Sequence, residues 1–252
     1  MTDSERFELL CRKDIERLHG HDSIGTYMEK RLHRILKSYM TEDPTAYEVP
    51  IGRFVADIME NRHIFEIQTK HYERLLPKLR YYLCETDFNV TVVCPIIRNK
   101  RLIRIDPETG EILRQKMSPS HGRISDIMPD LYHIREYLQS PRLTIKIMII
   151  DAEEYRYSER VRYRRTGAYD SELFPVSLVE ERDIKHIYEL LEFLPEDNSS
   201  FSAAQYSKFI GQRGRDLYSS LNLLCYIGLL HREKQGNKYI YKKTDTVLSP
   251  IK

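Results

Sequence analysis

The sequence has few cysteines, and none is placed for a disulfide framework or a zinc site. The four thiols lie far apart and form no CxxC pair: Cys11, Cys84, Cys94 and Cys225. We interpret them as reduced thiols of a cytoplasmic protein. The N-terminal residues contain no apolar signal core, and no run approaches the ~20 apolar residues that a membrane span needs. No membrane partner is therefore expected.

The sequence also lacks a strong excess of either charge. Its formal net charge is +2, although 31% of its 252 residues are charged and 41% are hydrophobic. A chain of this length and composition forms one large or two small globular domains. Because the charges nearly balance, binding to nucleic acid has to rest on local basic patches and not on the overall field.

The clearest chemical pattern lies in residues 49–70. Residues 53–58 and 63–69 are rich in β-branched and aromatic side chains and flank a polar break at 59–62, which predicts a β-hairpin. Alternation along a strand places Glu66 and Gln68 on one face, and the hairpin register can bring Asp57 beside Glu66. Two carboxylates and an amide form the oxygen-rich ligand set that Mg²⁺ prefers. The alternative is a surface hairpin with an acidic outer face.

This pattern resembles the PD-(D/E)XK nucleases, whose fold is also called restriction-endonuclease-like. Asp57 matches the acidic residue that ends one strand, and Glu66 matches the acidic residue of the acidic-x-Lys triplet on the next. The resemblance implies an α/β fold with a mixed sheet flanked by helices, and a site that holds Mg²⁺ or, as a substitute, Mn²⁺. Gln68 stands where the family usually has lysine, although some members also have glutamine there. Lys70 lies two residues further along the same face.

A helix that precedes the hairpin supplies a further acidic residue in many of these nucleases. Glu29 is the match for that position, because the apolar residues between Ser23 and Tyr39 predict a helix there. Glu29, His33 and Lys37 recur every four residues, so a solvated polar stripe is the alternative. After the hairpin, a predicted helix at 72–84, with Pro77 in its first turn or at a kink, and a buried strand at 89–96 form a parallel β-α-β step. The same order occurs in the nuclease core.

Two basic stretches follow in the chain. Strands at 101–105 and 111–116 flank a turn and predict a second hairpin, which carries many lysines and arginines. That hairpin either contacts a phosphate backbone or faces solvent. Residues 124–138 are predicted to be helical, and residues 143–150 to form the last strand of the domain. Residues 155–165 interleave arginine with tyrosine, which suits either stacking on nucleic acid or a charged connector. We expect a nuclease-like domain at 1–152, a basic linker at 153–168 and a second domain at 169–252.

The second domain is expected to be a small α+β winged helix. Helices are predicted at 183–194, at 201–210 and over the apolar stripe that begins at Leu217, and basic strands at 231–234 and 238–242 follow. In DNA-binding winged helices the third helix enters the major groove and the wing contacts the backbone. The matching residues are Gln212, Arg213, Arg215, Tyr218, Ser219, Lys234, Gln235 and Lys238.

Three functions remain open at this stage. The leading one is a metal-dependent DNA endonuclease of defence or DNA repair, in which Asp57 and Glu66 hold the metal, while Glu29, Gln68 and Lys70 complete the catalytic set. The second is a DNA-binding regulator that keeps the nuclease fold without cleavage, which the glutamine at 68 favours. The third is a structural or interaction protein whose winged helix forms a homodimer, since a fold alone does not fix a function.

Overall fold

The structure is a computed structural model that describes residues 1–18, 28–106, 108–157, 171–196 and 200–244. Its α-helices are α1 (Asp3–Leu18), α2 (Met28–Met40), α3 (Leu76–Arg80), α4 (Met128–Leu131), α5 (Ala203–Ile210) and α6 (Gly214–Tyr226). Its strands are β1 (Tyr47–Ile51), β2 (Phe54–Glu60), β3 (His63–Ile67), β4 (Asn89–Ile105), β5 (Ile112–Met117), β6 (Leu143–Tyr157), β7 (Ser171–Ile184), β8 (Phe201–Ser202), β9 (Leu230–Gln235) and β10 (Lys238–Lys243). Short 3₁₀ or π segments lie at Pro44–Ala46, Tyr72–Leu75, Tyr81–Glu85, Ile124–Ile127, Tyr132–Tyr137 and Ile187–Phe193.

The strands form two sheets. Seven strands make one mixed sheet in the order β1-β2-β3-β4-β6-β7, with β5 paired to β4, and a three-stranded sheet has the order β8-β10-β9. The expected α/β class with a large mixed sheet is therefore confirmed. The chain divides into two compact units. The first consists of residues 1–60, 95–123 and 148–182, and the second of residues 61–94, 124–147 and 183–252.

In the first unit, α1 and α2 pack through apolar side chains. Phe7 and Leu36 are completely buried, and the ring of Phe7 meets Tyr39 edge to face at a centroid distance of 5.5 Å. Arg31 is buried beside them and pairs with Asp14 at 3.8 Å and Glu172 at 3.6 Å. The buried arginine is thus neutralised by two carboxylates, as a charge in a protein interior has to be.

The first unit also contains a hairpin that the sequence reading missed. β1 pairs antiparallel with β2, with Ile51 opposite Phe54, and Gly52 takes a φ of 59° in the turn. Glycine adopts this left-handed conformation without steric cost, which allows the tight reversal. Ala56 and Ile58 are completely buried on β2, and Asp57 between them points to the opposite face.

In the second unit, β3 runs parallel to the first half of β4, from His63 opposite Asn89 to Ile67 opposite Val93. The connection is the short helical run from Tyr72 to Glu85, with 3₁₀, α and π turns in succession. Leu79 and Tyr82 of this run are completely buried. Pro77 is the second residue of α3, where its missing N–H costs nothing, so the expected place of this proline is confirmed.

The elements differ from the sequence prediction in several places. β4 is one continuous strand of 17 residues and not two strands. The stretch predicted as a helix at 183–194 ends β7 and then forms the 3₁₀ segment Ile187–Phe193, whose first turn is closed by the Glu189 carboxylate on the His186 backbone N–H. The helices predicted at 72–84 and 124–138 are runs of short turns.

The division of the chain also differs from the one expected. β6 continues to Tyr157, and β7 joins the large sheet, so residues 171–184 are part of that sheet and not of a separate C-terminal domain. Residues 158–168 of the expected basic linker lie outside the described residues. The sequence did not predict a β-strand of this length, because β7 carries four acidic side chains among its 14 residues. These charged residues weaken the apolar alternation that marks a strand.

Candidate nucleic-acid interface and predicted carboxylate site

Glu66 is a buried carboxylate held by two partners from the helical connection. It lies on β3, and only 2% of its surface is exposed. The Lys78 ammonium donates to its Oε2 at 2.7 Å, and the Tyr82 hydroxyl donates to its Oε1 at 3.2 Å. A carboxylate this deeply buried needs a countercharge and hydrogen bonds, and Lys78 and Tyr82 provide both.

The sequence reading did not single out Lys78, although a signal was present. Lys78 lies three residues after Leu75 and four before Tyr82, so helical spacing places it on the inward face between two buried side chains. A lysine at such a position needs an acidic partner. Glu66 supplies it.

Gln68 and Lys70 occupy the loop that follows β3. The Gln68 amide donates to the backbone carbonyl of Lys70 and, at 3.3 Å, to that of His71. His71 takes a left-handed φ of 59°, which turns its carbonyl toward the amide side chain. The Lys70 side chain is exposed. In this structure, Gln68 therefore stabilises the loop.

Asp57 has a lysine partner in the first unit. The Lys37 ammonium lies 3.2 Å from Asp57 Oδ1 and also contacts the Glu48 carboxylate. Burial alone lowers the pKa of Lys37, but its bonds to Glu48 and Asp57 outweigh that effect and raise the pKa above its ordinary value. Lys37 thus remains charged between two carboxylates. The polar stripe of α2 includes this lysine, whereas the side chain of Glu29 lies outside the described residues.

The carboxylates predicted as metal ligands are distributed over both units. Asp57 belongs to the first unit, and Glu66, Gln68 and Lys70 belong to the second. Across the described ranges, no group of three or more His, Cys, Asp and Glu residues is arranged to hold a metal ion. Each predicted ligand instead has an ammonium group against it.

The helices α5 and α6 are joined by a short turn in the second unit. Ser202 caps α5, because its hydroxyl accepts from the Gln205 N–H at 3.3 Å while the Gln205 side chain accepts from the Ser202 N–H at 2.8 Å. Gly211 ends the helix with a left-handed φ of 73°. The three residues from Gly211 to Arg213 then lead into α6.

The buried residue Gln212 stabilises this turn through hydrogen bonds. Only 6% of its surface is exposed, and its amide donates to the Ser125 carbonyl at 2.7 Å. The Ser220 hydroxyl donates to Gln212 Oε1 at 2.6 Å, and the Ser207 hydroxyl donates to its backbone carbonyl at 2.6 Å. These bonds occupy the side chain and hold it away from solvent, so Gln212 is removed from the predicted DNA-contacting set.

The other predicted DNA contacts on α6 are on its surface. Arg213 and Arg215 are exposed, and Tyr218 is 54% exposed. Arg215, Tyr218 and Asn222 follow one another at helical spacing and form a polar and aromatic stripe on one side of the helix. The opposite side, with Leu217, Leu221 and Leu224, is buried.

A basic hairpin follows α6. β9 and β10 pair antiparallel across the turn at Gly236, with Lys238 opposite Gln235 and Tyr239 opposite Lys234. Both lysines are exposed, and Tyr239 is 48% exposed. The sequence reading missed the pair formed by Arg232 and Tyr239, in which the guanidinium lies 5.1 Å from the ring centroid. The available signal was that both strands of a predicted hairpin carry residues able to form a cation–π pair, an arginine on one and a tyrosine on the other.

A polar cleft lies beside the start of α6 in the second unit. Its volume is about 470 Å³, and its lining includes the ionisable side chains His71, Glu73, Asp130, His133, Arg215 and Asp216. Burial, opposed by His133 and reinforced by the nearby Asp216 and Glu73, raises the pKa of Asp130 to about 6. The cleft brings acidic groups close to one side of the helix, and on the following hairpin Glu233 pairs with Lys242 at 2.7 Å.

Residues 30–185 match the family described as Domain of unknown function (DUF8091), and the chain belongs to this family. Over 163 residues it is 29% identical to an uncharacterised protein of Treponema pallidum (strain Nichols), a match that spans 63% of this chain and 64% of that relative. The match thus spans less than two thirds of the relative's length. No solved structure matches the chain. Among the described residues, no helix is long and apolar enough to cross a membrane.

Proposed function

We propose that this protein binds DNA through a winged helix formed by residues 201–243. The observation that carries the proposal is the order β8-α5-α6-β9-β10 together with the sheet order β8-β10-β9. In DNA-binding winged helices, the second helix of the helix-turn-helix enters the major groove and the hairpin contacts the backbone. Here α6 presents Arg213, Arg215 and Tyr218, and the hairpin presents Lys234 and Lys238.

The exposed side chains of α6 and the following hairpin favour DNA as the binding partner, and not a second copy of this chain. The interior of a dimer interface is depleted of charged side chains. On α6 and the wing, five cations, including Arg232, and three tyrosines are exposed, and tyrosine and arginine stack on bases and bind phosphates. A homodimer through this surface has to bury more cations than its two acidic residues, Asp216 and Glu233, can neutralise, which costs free energy.

The proposal is tested by fluorescence anisotropy of a labelled DNA duplex with the full chain. Arg213→Ala and Arg215→Ala should each weaken binding, and Lys238→Ala should lower the salt slope by about 0.9, the value of one phosphate contact. Lys13→Ala, on the exposed side of α1, removes one charge elsewhere and should leave binding unchanged. If the Arg213→Ala, Arg215→Ala and Lys238→Ala variants all bind DNA like the wild type, the winged helix has another role. Sedimentation of a tight dimer would then favour the interaction protein.

A second candidate function is DNA cleavage by a metal-dependent endonuclease. The observation that favours it is the contact between Lys78 and Glu66, the second acidic residue of the motif. Lys78 supplies an ammonium group next to this carboxylate, whereas Gln68 stands at the motif position that usually holds the lysine. The β-α-β arrangement around Glu66 is the one that the nuclease resemblance implies. In this candidate function, catalysis and its requirement for Mg²⁺ or Mn²⁺ follow from the nuclease resemblance alone.

Cleavage is tested with supercoiled plasmid in Mg²⁺ or Mn²⁺. A nuclease should relax or linearise the plasmid, and Glu66→Ala and Asp57→Ala should each abolish this activity. Asp57→Ala also controls for contaminating nuclease, because a contaminant would survive the substitution. Plasmid that stays supercoiled with both ions, in a preparation that binds DNA, would identify the protein as a DNA-binding regulator.

A further inference from the structure

The ribbon formed by β4 and β5 carries a cationic pocket in the first unit. The pocket has a volume of about 150 Å³ and is lined by Leu102, Ile103, Arg104, Arg114, Lys116 and Arg156. Four of these six side chains are cationic. This is a higher local density of positive charge than the overall balance of the chain predicts.

The strand register concentrates the charges on one face. Arg104 lies directly opposite Arg114, and Leu102 lies opposite Lys116. Positions two residues apart on a strand share a face, so Arg104, Arg114 and Lys116 project to the same side. Like charges placed directly opposite each other destabilise a strand pair. An anion bound between them removes that repulsion.

The neighbouring cations of the same ribbon are arranged differently, because each has an acidic partner on β6. Arg98 donates to both carboxylate oxygens of Asp151, at 3.1 and 2.7 Å. In the same way, Lys100 pairs with Glu154 at 2.5 Å and Arg101 with Glu153 at 3.6 Å.

Arg114 and Lys116 have no such partner. In the described part of the chain neither contacts a carboxylate, and β5 is exposed along its whole length. Arg156 shares Glu154 with Lys100 through a bond of 2.6 Å. The pocket therefore has a surplus of positive charge that the rest of the ribbon lacks, and the surplus points to solvent.

We propose that this pocket binds phosphate groups of a nucleic acid strand, as a second contact region apart from the winged helix. Arginine binds phosphate through two parallel hydrogen bonds, and lysine adds a point charge. Arg114 and Lys116 are two residues apart, or about 6.6 Å along the strand. A row of cations with this repeat suits a linear polyanion better than a single ion. The inference rests on the proposed function only in the choice of nucleic acid as the polyanion.

The test uses the full chain with both Arg114 and Lys116 replaced by glutamine. Glutamine keeps a polar side chain on an exposed strand, and thermal unfolding followed by circular dichroism shows that the variant is folded. Binding of a labelled duplex, measured from 50 to 200 mM salt, should lose about 1.8 from the salt slope, which is the value of two phosphate contacts. Arg101→Gln is the matched control, since it removes a charge from the same ribbon whose partner is Glu153, and should change the slope little.

Three results would overturn the inference. The first is a double variant that keeps the affinity and the salt slope of the wild type. The second is calorimetric binding of inorganic phosphate that the double variant loses while its oligonucleotide binding stays intact. The third is loss of sedimentation with phosphatidylserine vesicles, again with intact oligonucleotide binding, which would identify a membrane surface as the partner.

The same titration separates this inference from the winged-helix proposal. Loss of affinity in the glutamine double variant, with no effect of Arg213→Ala or Arg215→Ala, would support the ribbon and contradict the winged helix. The reverse pattern would support the winged helix and contradict the ribbon. If no variant changes the affinity, both are wrong.

Discussion

Two lysines neutralise the carboxylates that the nuclease resemblance selects. Lys78 bonds the buried Glu66 in the second unit, and Lys37 lies between Asp57 and Glu48 in the first. Sequence reasoning located both carboxylates, because strand alternation and motif spacing are local properties. It did not predict the contacts with Lys78 and Lys37, because these lysines lie 12 and 20 residues away from the carboxylates along the chain, so only the folded chain shows which charge meets which.

Lys78→Met should destabilise the protein, because it leaves a carboxylate with 2% exposure without its countercharge. The expected loss is about 2 kcal/mol of unfolding free energy, measured by urea denaturation at pH 7. The double variant Glu66→Gln, Lys78→Met should recover part of that loss, since no charge is then buried alone. If Lys78→Met alone is as stable as the wild type, the contact is not a stabilising ion pair.

The Gln68 side chain offers a test of the cleavage candidate. Glutamine carries no charge at any pH and cannot act as a lysine does. If the protein cleaves DNA, Gln68→Lys should preserve or increase plasmid cleavage. Mn²⁺ should then support cleavage at least as well as Mg²⁺. Calorimetry with each ion at millimolar concentration is the accompanying measurement. Absence of binding by the wild type would exclude a metal-dependent reaction and leave the regulator.

The acidic cleft beside α6 makes a pH-dependent contribution to stability. Burial raises the folded-state pKa of Asp130 to about 6, whereas an unfolded aspartate titrates near 4. The native state therefore binds more protons between these values, and stability falls as the pH rises through that window. Asp130→Asn should stabilise the protein at pH 7 by about 1 kcal/mol, after allowance for solvent screening, and its advantage should vanish near pH 4. Thermal unfolding at both pH values measures this.

At the scale of elements, the turn between α5 and α6 depends on a residue that resembles a surface residue in the sequence. A glutamine after a helix-ending glycine is usually exposed, yet Gln212 is buried and bonds Ser125 and Ser220. Its contact with Ser125 joins positions 87 residues apart, so helical periodicity could not reveal it. Helix α5 was predictable, because Ser202 and Gly211 cap it, whereas α6 was indicated only by its apolar stripe, since its N-cap residue Arg213 makes no side-chain cap bond.

Gln212→Ala should lower the unfolding free energy by about 2 kcal/mol, because it leaves the buried Ser220 hydroxyl without its acceptor and removes the bond to the Ser125 carbonyl. DNA affinity of the folded variant should fall less than in Arg215→Ala, because Gln212 does not face solvent. Gln235→Ala, at the exposed hairpin tip, is the matched control. A Gln212→Ala protein with unchanged stability and lost DNA affinity would show instead that this side chain contacts DNA.

At the scale of the whole molecule, the sequence predicted the α/β class and the β-α-β step, because both follow from apolar patterns within 30 residues. It did not predict that residues from three stretches of the chain combine in each of the two units. The long strands β4 and β6 cause this, since each contributes residues to both units. β7 is the last strand of the large sheet, and its acidic side chains obscure the apolar pattern that predicts a strand.

The central claim is that the protein binds DNA by its exposed cations, and a salt titration of the full chain with a labelled duplex tests it most directly. The four proposed contacts Arg213, Arg215, Lys234 and Lys238 predict a log–log slope of about −3.6, and Arg114 and Lys116 together extend it to about −5.4. Arg213→Ala should reduce the slope by about 0.9. Micromolar protein that leaves the duplex unbound at 50 mM salt, or binding that ignores salt, would contradict the account.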